Sequence, residues 1–174
     1  MKAKFIDNAK NLQALQARLR QQSQKSVYVG LLAEDGAAPK TVVEYLSAVR
    51  NFEEQERAGE PKTLIEVAVI NEFGKDGVPK RSFLRGWVDQ NRKQIREQIV
   101  KTIILDVKKA GWESFDLQKS LGLLGVWGQG QIQAFISNRI PPPNAPYTIE
   151  KKGSDVPLID TGQLRSSISW KVAP

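Results

Sequence analysis

Hydrophobic residues recur every three or four positions in four stretches of the chain, a spacing typical of amphipathic α-helices. The first covers residues 3–20, and the second follows Pro39 and runs toward Gly59. The third begins at Leu84 and ends near Gly111, which predicts a long helix of about six turns over 84–109. The fourth follows Asp116, a residue type that favours the N-cap. The apolar stripes are Phe5, Ala9, Leu12, Leu15 and Leu19; Val42, Tyr45, Leu46 and Val49; Leu84, Val88, Ile95, Ile99, Ile103 and Val107; and Leu117, Leu121, Leu124, Ile132, Phe135 and Ile136.

The fourth stretch carries an unusual number of glycines for a helix: Gly122, Gly125, Gly128 and Gly130. Each costs up to ~1 kcal/mol in a helix interior relative to alanine. One interpretation is that the glycines let another helix approach closely. The other is that the segment breaks near Gly128 into two shorter helices, and the sequence leaves both open.

Residues 64–73 give conflicting signals. Val67, Val69 and Ile70 favour a strand, whereas the Thr63/Glu66 capping box and the closing Gly74 favour a helix. We expect a helix that ends at Gly74, with Phe73 anchored in the core.

Two short segments have strand character. Residues 27–32 are β-branched and apolar, which predicts a strand buried on both faces or nearly so. Near the end of the chain, Ile168, Trp170 and Val172 alternate with polar residues, as in a half-buried strand. We expect these strands to pair, giving an α+β fold in which several helices cover a small, mainly antiparallel sheet.

Residues 139–159, here called the proline arm, begin with a run at 141–146 that contains Pro141, Pro142 and Pro143 and cannot be helix. We expect one turn at 148–152 and a further loop after it. Such a long irregular stretch suggests a binding or clamping role, and the alternative is a surface connection back to the sheet. After the arm, Asp160 and Gln163 have capping-box spacing, which predicts a short helix from Thr161. The length of 174 residues fits one domain, 1–174.

Composition limits the chemistry. With no cysteine and no histidine, the chain lacks Ser-His-Asp and Cys-His catalytic machinery and the usual zinc ligands. No apolar run is long enough for a membrane span, so we expect no membrane contact. A remote enzymatic interpretation rests on the carboxylates of Glu72, Asp155 and Asp160. Helix capping is the simpler explanation for Asp160, and also for Glu66. We therefore expect no enzymatic activity and no cofactor or metal.

The net charge of +7 is unevenly distributed. Residues 34–72 carry nine acids against four bases, and residues 75–109 carry ten bases against four acids. The basic segment 75–109 fits nucleic-acid binding through phosphates. It also fits complementary contacts with a protein partner, or simply a solvated helix face.

Three stretches resemble, in order and spacing, a family of tailed-bacteriophage morphogenesis proteins, the tail-completion or head-to-tail joining group. They are Asn71-Glu72-Phe73-Gly74, preceded by Ile70; Arg81-Ser82-Phe83-Leu84-Arg85, preceded by Pro79 and Lys80; and residues 148–167, which contain Asp160-Thr161-Gly162 and Leu164-Arg165. The resemblance covers about residues 63–172. Ser82 stands where the family often has proline.

The resemblance implies a structural virion protein that completes the head-proximal end of the tail and helps join tail to head as a homo-oligomeric ring. Its partners would be neck and tail proteins, namely the tail terminator, the head-tail connector and the tail tube, with incidental contact with DNA in the lumen. It would be located in the virion neck, and in the host cytoplasm during assembly. The alternative is a nucleic-acid-binding module that uses residues 75–109. The candidate interface residues are Asn71, Glu72, Phe73, Gly74, Arg81, Phe83, Arg85, Pro141, Pro142, Pro143, Asp160, Thr161, Gly162, Leu164 and Arg165.

Overall fold

The computed structural model describes residues 8–32, 64–75, 77–111 and 114–174. The helix expected after Pro39, the Thr63 half of a capping box and Trp112 lie outside these residues. Within the described ranges the fold is α+β, as the sequence predicts: six helices accompany a two-stranded antiparallel sheet. In chain order the elements are α1 Asn8–Gln22, β1 Ser26–Leu31, α2 Leu64–Phe73, α3 Leu84–Ala110, α4 Leu117–Ser137, α5 Pro146–Lys152, α6 Gln163–Ser166 and β2 Ile168–Ala173.

The two strands pair as expected. In their register Val29 lies opposite Trp170, and Leu31 lies opposite Ile168. Since side chains alternate between the two faces of a strand, these four side chains share one face. The expectation that β1 is buried on both faces is wrong: Gly30 is buried, but its neighbours are only half-buried and Ser26 is exposed. Because the described sheet has two strands, it offers too small a surface for other elements to bury both faces of β1.

The glycines of α4 contact the sheet, which resolves the question that the sequence left open. The helix is continuous from Leu117 to Ser137, so there is no break near Gly128. A Cβ atom placed on Gly125 would lie 2.6 Å from the Trp170 ring, and one on Gly128 would lie 3.3 Å from the Val29 side chain. The close approach is therefore between a helix and a sheet, not between two helices.

The main hydrophobic core lies between the sheet, α4 and the segment that opens α3. Its fully or almost fully buried members include Phe83, Trp87, Ile136, Leu164 and Ile168. Trp87 and Trp127 join α3 to α4, with ring centroids 5.7 Å apart. Trp87 is buried and Trp127 is half-buried at this contact.

A second, smaller core attaches α1 to the ends of the two longest helices. Leu15 and Leu19 of α1 pack against Val107, Phe115 and Leu117. Two polar contacts support this packing: Arg18 Nε donates to the Phe115 carbonyl at 2.9 Å, and Gln22 Oε1 accepts from the Leu117 N–H at 2.9 Å. Gln22 thereby satisfies a backbone donor at the start of α4.

Helix α3 confirms the long helix of the sequence pattern, with one irregularity. Its backbone departs from helical values at Asn91, where Nδ2 donates to the Trp87 carbonyl at 2.8 Å.

Asp116 caps α4 as expected by accepting from Gln118 N–H at 3.0 Å. Between the helices, the buried Ser120 hydroxyl donates to Asp106 at 2.5 Å.

Only part of the expected apolar stripe of α3 is buried. Val107 is buried and Ile95 is half-buried, but Val88 and Ile99 are exposed. Val100, Ile104 and Leu105 are also exposed, each by more than 40%. In the described part of the chain, the C-terminal half of α3 therefore presents apolar side chains that no described element covers.

The end of the chain corrects two expectations. Helix α6 begins at Gln163 and not at Thr161, and its cap residue is Gly162, in the left-handed conformation at φ 80°. Asp160 is exposed and caps nothing; the Gln163 N–H instead donates to the Thr161 hydroxyl at 3.4 Å. The turn at Gly162 places the Thr161 hydroxyl, and not the Asp160 carboxylate, near the start of α6. In the proline arm, the turn expected at 148–152 is part of the longer helix α5, which begins at Pro146 and divides the arm.

We expect Gly125→Ala to lower the free energy of unfolding by about 2 kcal/mol, because the added methyl group overlaps the Trp170 ring and the packing must shift. The matched control is Gly130→Ala in the same helix, where a Cβ meets nothing within 4 Å. That variant should be more stable by ~0.5–1 kcal/mol through helix propensity alone. Urea denaturation followed by circular dichroism measures both, and equal effects would contradict the helix–sheet approach.

Candidate functional site

Glu72, the second residue of the Asn-Glu-Phe-Gly motif, is buried at the N-terminus of α3. Its carboxylate accepts from the backbone N–H groups of Phe83 at 2.8 Å, Leu84 at 3.0 Å and Arg85 at 3.1 Å. These are donors that the first turn of a helix leaves without partners, and a negative charge is favoured at that end of the helix dipole. Glu72 is thus an N-cap supplied by another helix, a role that the sequence analysis did not predict.

Ser82 completes this cap. Its hydrogen bonds give a local reason why this position holds serine and not the proline that is frequent in the family that the sequence resembles. Its hydroxyl donates to Glu72 Oε1 at 2.5 Å and accepts from the Gly86 N–H at 3.1 Å. A proline at this position could form neither hydrogen bond. Serine therefore joins the two motifs directly.

Arg81 connects the second motif to the proline arm. Its Nε donates to the Pro142 carbonyl at 2.7 Å, and Nη2 donates to the Pro143 carbonyl at 3.0 Å. Its backbone N–H donates to the Asn71 carbonyl at 2.7 Å. Desolvation by burial lowers the pKa of Arg81 from its ordinary value. The guanidinium therefore points toward the proline arm.

The remaining residues of the first two motifs surround this contact. Arg85 stacks on Phe73 with its guanidinium carbon 4.3 Å from the ring centroid, and its Nε lies 3.2 Å from Glu72 Oε1. Phe73 is therefore half-buried under a cation and not deep in the core, whereas Phe83 is fully buried. Gly74 has the expected left-handed conformation at φ 85°.

We call these contacts between residues 71–74, 81–85 and 141–144 the motif junction. On one side of it lies a cleft of about 640 Å³. Its walls come from α2, the loop at residues 77–79, the proline arm and the segment that leads into α6. Eight of the candidate residues line it: Asn71, Arg81, Pro142, Pro143, Asp160, Thr161, Gly162 and Leu164.

The other candidates lie elsewhere. The cleft lining does not include Glu72, Phe73, Gly74, Phe83 or Arg85. Pro141 is also absent from it and is exposed near the start of the arm. Arg165 points away, and its Nη1 donates to the Ser137 hydroxyl at 3.3 Å. The structure thus brings most of the candidate residues into one region and separates Arg165 from them.

Asn144, which the sequence analysis did not select, also lines the cleft. Its Nδ2 is buried and donates to no acceptor among the described residues. An unpaired buried donor costs free energy, so such groups are rare in native proteins. The sequence does contain a signal, since Asn144 is the one polar side chain in the run from Pro141 to Pro146.

The three carboxylates that suggested a remote enzymatic interpretation have different surroundings. Glu72 is engaged in the cap, Asp155 forms an ion pair with Arg139 at 3.1 Å, and Asp160 is exposed at the cleft. In the described ranges no group of three potential metal-ligating side chains is found. None of the helices described is long and apolar enough to cross a membrane.

Comparisons with protein-family models, with curated proteins and with solved structures found no match for this chain.

We expect Glu72→Gln to lower the free energy of unfolding by about 3 kcal/mol, because it removes a buried charge that several donors share. The control is Glu97→Gln, which removes an exposed ion pair with Lys93 at 3.9 Å. That change should cost about 0.5 kcal/mol or less. Chemical denaturation measures both variants, and a Glu72→Gln effect as small as the control would contradict the capping role.

We expect Asn144→Ala to raise the free energy of unfolding by about 1 kcal/mol, because it removes the unpaired buried donor. This would raise the melting temperature by about 2–4 °C in a chain of this size. Asn138→Ala, at an exposed position after α4, is the control and should change little. Calorimetry compares them, and a clear loss of stability in Asn144→Ala would contradict this description of the cleft.

Proposed function

We propose that this chain is a structural virion protein of a tailed phage, which completes the head-proximal end of the tail and helps join the tail to the head. The observation that supports this most is the motif junction. Each of the three family-like stretches is short and weak alone. The first two contact each other through Glu72 and Ser82, and Arg81 binds the proline carbonyls that precede the third stretch. Leu164 of the third stretch lies in the same buried core as Phe83 and lines the cleft together with Asn71 and Arg81. Their order in the sequence thereby corresponds to one structural unit, as expected of a family signature.

The proposed mechanism is assembly into a homo-oligomeric ring in the virion neck, in contact with the tail terminator, the head-tail connector and the tail tube. Val100 and Ile104, four residues apart, lie on the same side of α3 and are exposed by 55% and 46%. Exposed apolar side chains of this kind are common at protein interfaces. Ring symmetry repeats each contact in every subunit, so individual contacts need not be strong.

The second candidate function, nucleic-acid binding, is supported by the basic side chains of α3. Arg92 and Lys93 have exposed side chains on this helix. Two acids offset them locally, because Arg92 pairs with Asp89 at 2.5 Å and Lys93 lies 3.9 Å from Glu97. This partial neutralisation favours the assembly function over phosphate binding.

Two variants with the same change in charge distinguish these functions. Val100→Glu places a carboxylate on the exposed apolar side of α3, and Gln94→Glu adds the same charge at another exposed position of the same helix. In the assembly function, only Val100→Glu should abolish ring formation, measured by mass photometry with isolated tail tubes. In the nucleic-acid function, both variants should weaken duplex binding equally, with a steep salt dependence for the unchanged chain.

The localisation of the protein provides the direct test. Labelled protein should be found at the neck of assembled virions in electron micrographs. A chain that stays monomeric with tail tubes and is absent from the neck would contradict the proposed function.

A further inference from the structure

The cleft beside the motif junction combines an aliphatic surface with a few polar groups. Leu64, Val67, Val78 and Leu158 supply the aliphatic part, and Asn144, Thr148 and Thr161 lie among its polar lining. A volume of about 640 Å³ is in the range of typical ligand pockets, about 300–1,000 Å³. The space is therefore sufficient for a small ligand or a short segment of chain.

The charges at the cleft do not favour a phosphorylated ligand. Arg81 uses two nitrogens on the proline carbonyls, and Lys152 Nζ donates to the Val156 carbonyl at 3.3 Å. Asp160 adds a negative charge to the same lining. A phosphate group is normally bound by several free cationic or N–H donors, and this arrangement offers few.

The cleft also lacks what a nucleobase requires. None of the described residues that line it is aromatic, so no ring is present on which a base could stack. A neutral ligand that combines aliphatic groups with regularly spaced hydrogen-bond acceptors fits better. An extended peptide segment has this chemistry, since its side chains alternate and its backbone carbonyls remain unpaired.

The walls of the cleft are suited to such a segment. Pro142 and Pro143 form part of one wall, and both are fixed through their carbonyls by Arg81. Proline has little conformational freedom, so binding against this wall requires little further ordering. The buried Nδ2 of Asn144, on the same arm, is a donor that has no acceptor among the described residues.

We propose that the cleft binds an extended aliphatic peptide segment of another protein, and that a backbone carbonyl of this segment accepts a hydrogen bond from Asn144. Asn144 lines the cleft, so binding requires Nδ2 to turn from its buried position toward the bound segment. The unpaired donor of the free protein then becomes paired in the complex. Stability of the free chain is thus sacrificed at the residue that recognises the ligand.

The inference rests on the proposed function only for the source of the segment, which would be a neighbouring neck or tail protein. Peptide binding by the isolated chain can be tested without tails or virions. Failure of the peptide experiment would leave ring formation untouched, and failure of ring formation would leave peptide binding untouched.

The experiment selects a displayed library of random linear octapeptides on the intact protein, and then measures a synthetic copy of the selected peptide by calorimetry. We expect selected sequences with alternating aliphatic residues. Binding should shift the side-chain amide signal of Asn144 in ¹⁵N spectra of the labelled chain. Asn144→Ala should lower the affinity at least tenfold while its melting temperature rises, and Asn138→Ala should leave both unchanged.

Opposite changes in affinity and stability exclude a loss of binding through misfolding. The proposal is overturned if no peptide is selected, or if the selected peptide binds Asn144→Ala as tightly as the unchanged chain. It is also overturned if octathymidylate or pyrophosphate shifts the cleft signals at concentrations where the peptide does not.

Discussion

The carboxylate of Glu72, buried at the N-terminus of α3, is the contact on which the position of the longest helix depends. It accepts from three consecutive backbone N–H groups, from Ser82 and from Arg85, and so fixes the end of α2 against the start of α3. Burial of a charge is unfavourable unless enough donors compensate it. Because these donors come from one helix start, only one relative placement of α2 and α3 satisfies the carboxylate. That placement also sets the position of Arg81, and the two hydrogen bonds from Arg81 hold the proline arm.

A second constraint fixes α4 against the sheet. The sheet can reach α4 closely because Gly122, Gly125 and Gly128 have no side chains there, and the Trp170 ring fills the space. These glycines weaken the helix intrinsically, and the burial of Trp170 and Val29 offsets that weakness. Since α4 also packs on α3 through the two tryptophans, the helix start set by Glu72 and the sheet are parts of one core.

The surfaces on which a function can be proposed are those that these two constraints leave exposed. The motif residues that resemble a tail-completion family mostly stabilise the junction, and the surface they create is the cleft with its unpaired Asn144. The exposed apolar side chains of α3 lie in the C-terminal half of that helix, whereas the second motif lies at its start. Assembly and peptide recognition would then use separate surfaces: the first supplies repeated apolar contact, and the second supplies directional hydrogen bonding.

The sequence alone determined the element types and most of their bounds, because hydrophobic periodicity, the Asp116 cap and the positive-φ glycines Gly74 and Gly111 are local signals. It also identified the strand pair and, as interface candidates, eight of the residues that line the cleft. It could not identify the partner of Glu72, the sheet contact of the α4 glycines or the failure of the Asp160 cap. Those depend on residues distant in the chain or on the exact path of a turn. Only the tertiary structure decided that Glu72 and Arg81 face inward and that Asn144 Nδ2 has no acceptor in the described ranges. The physical reason is that burial and hydrogen-bond geometry arise when separate segments meet.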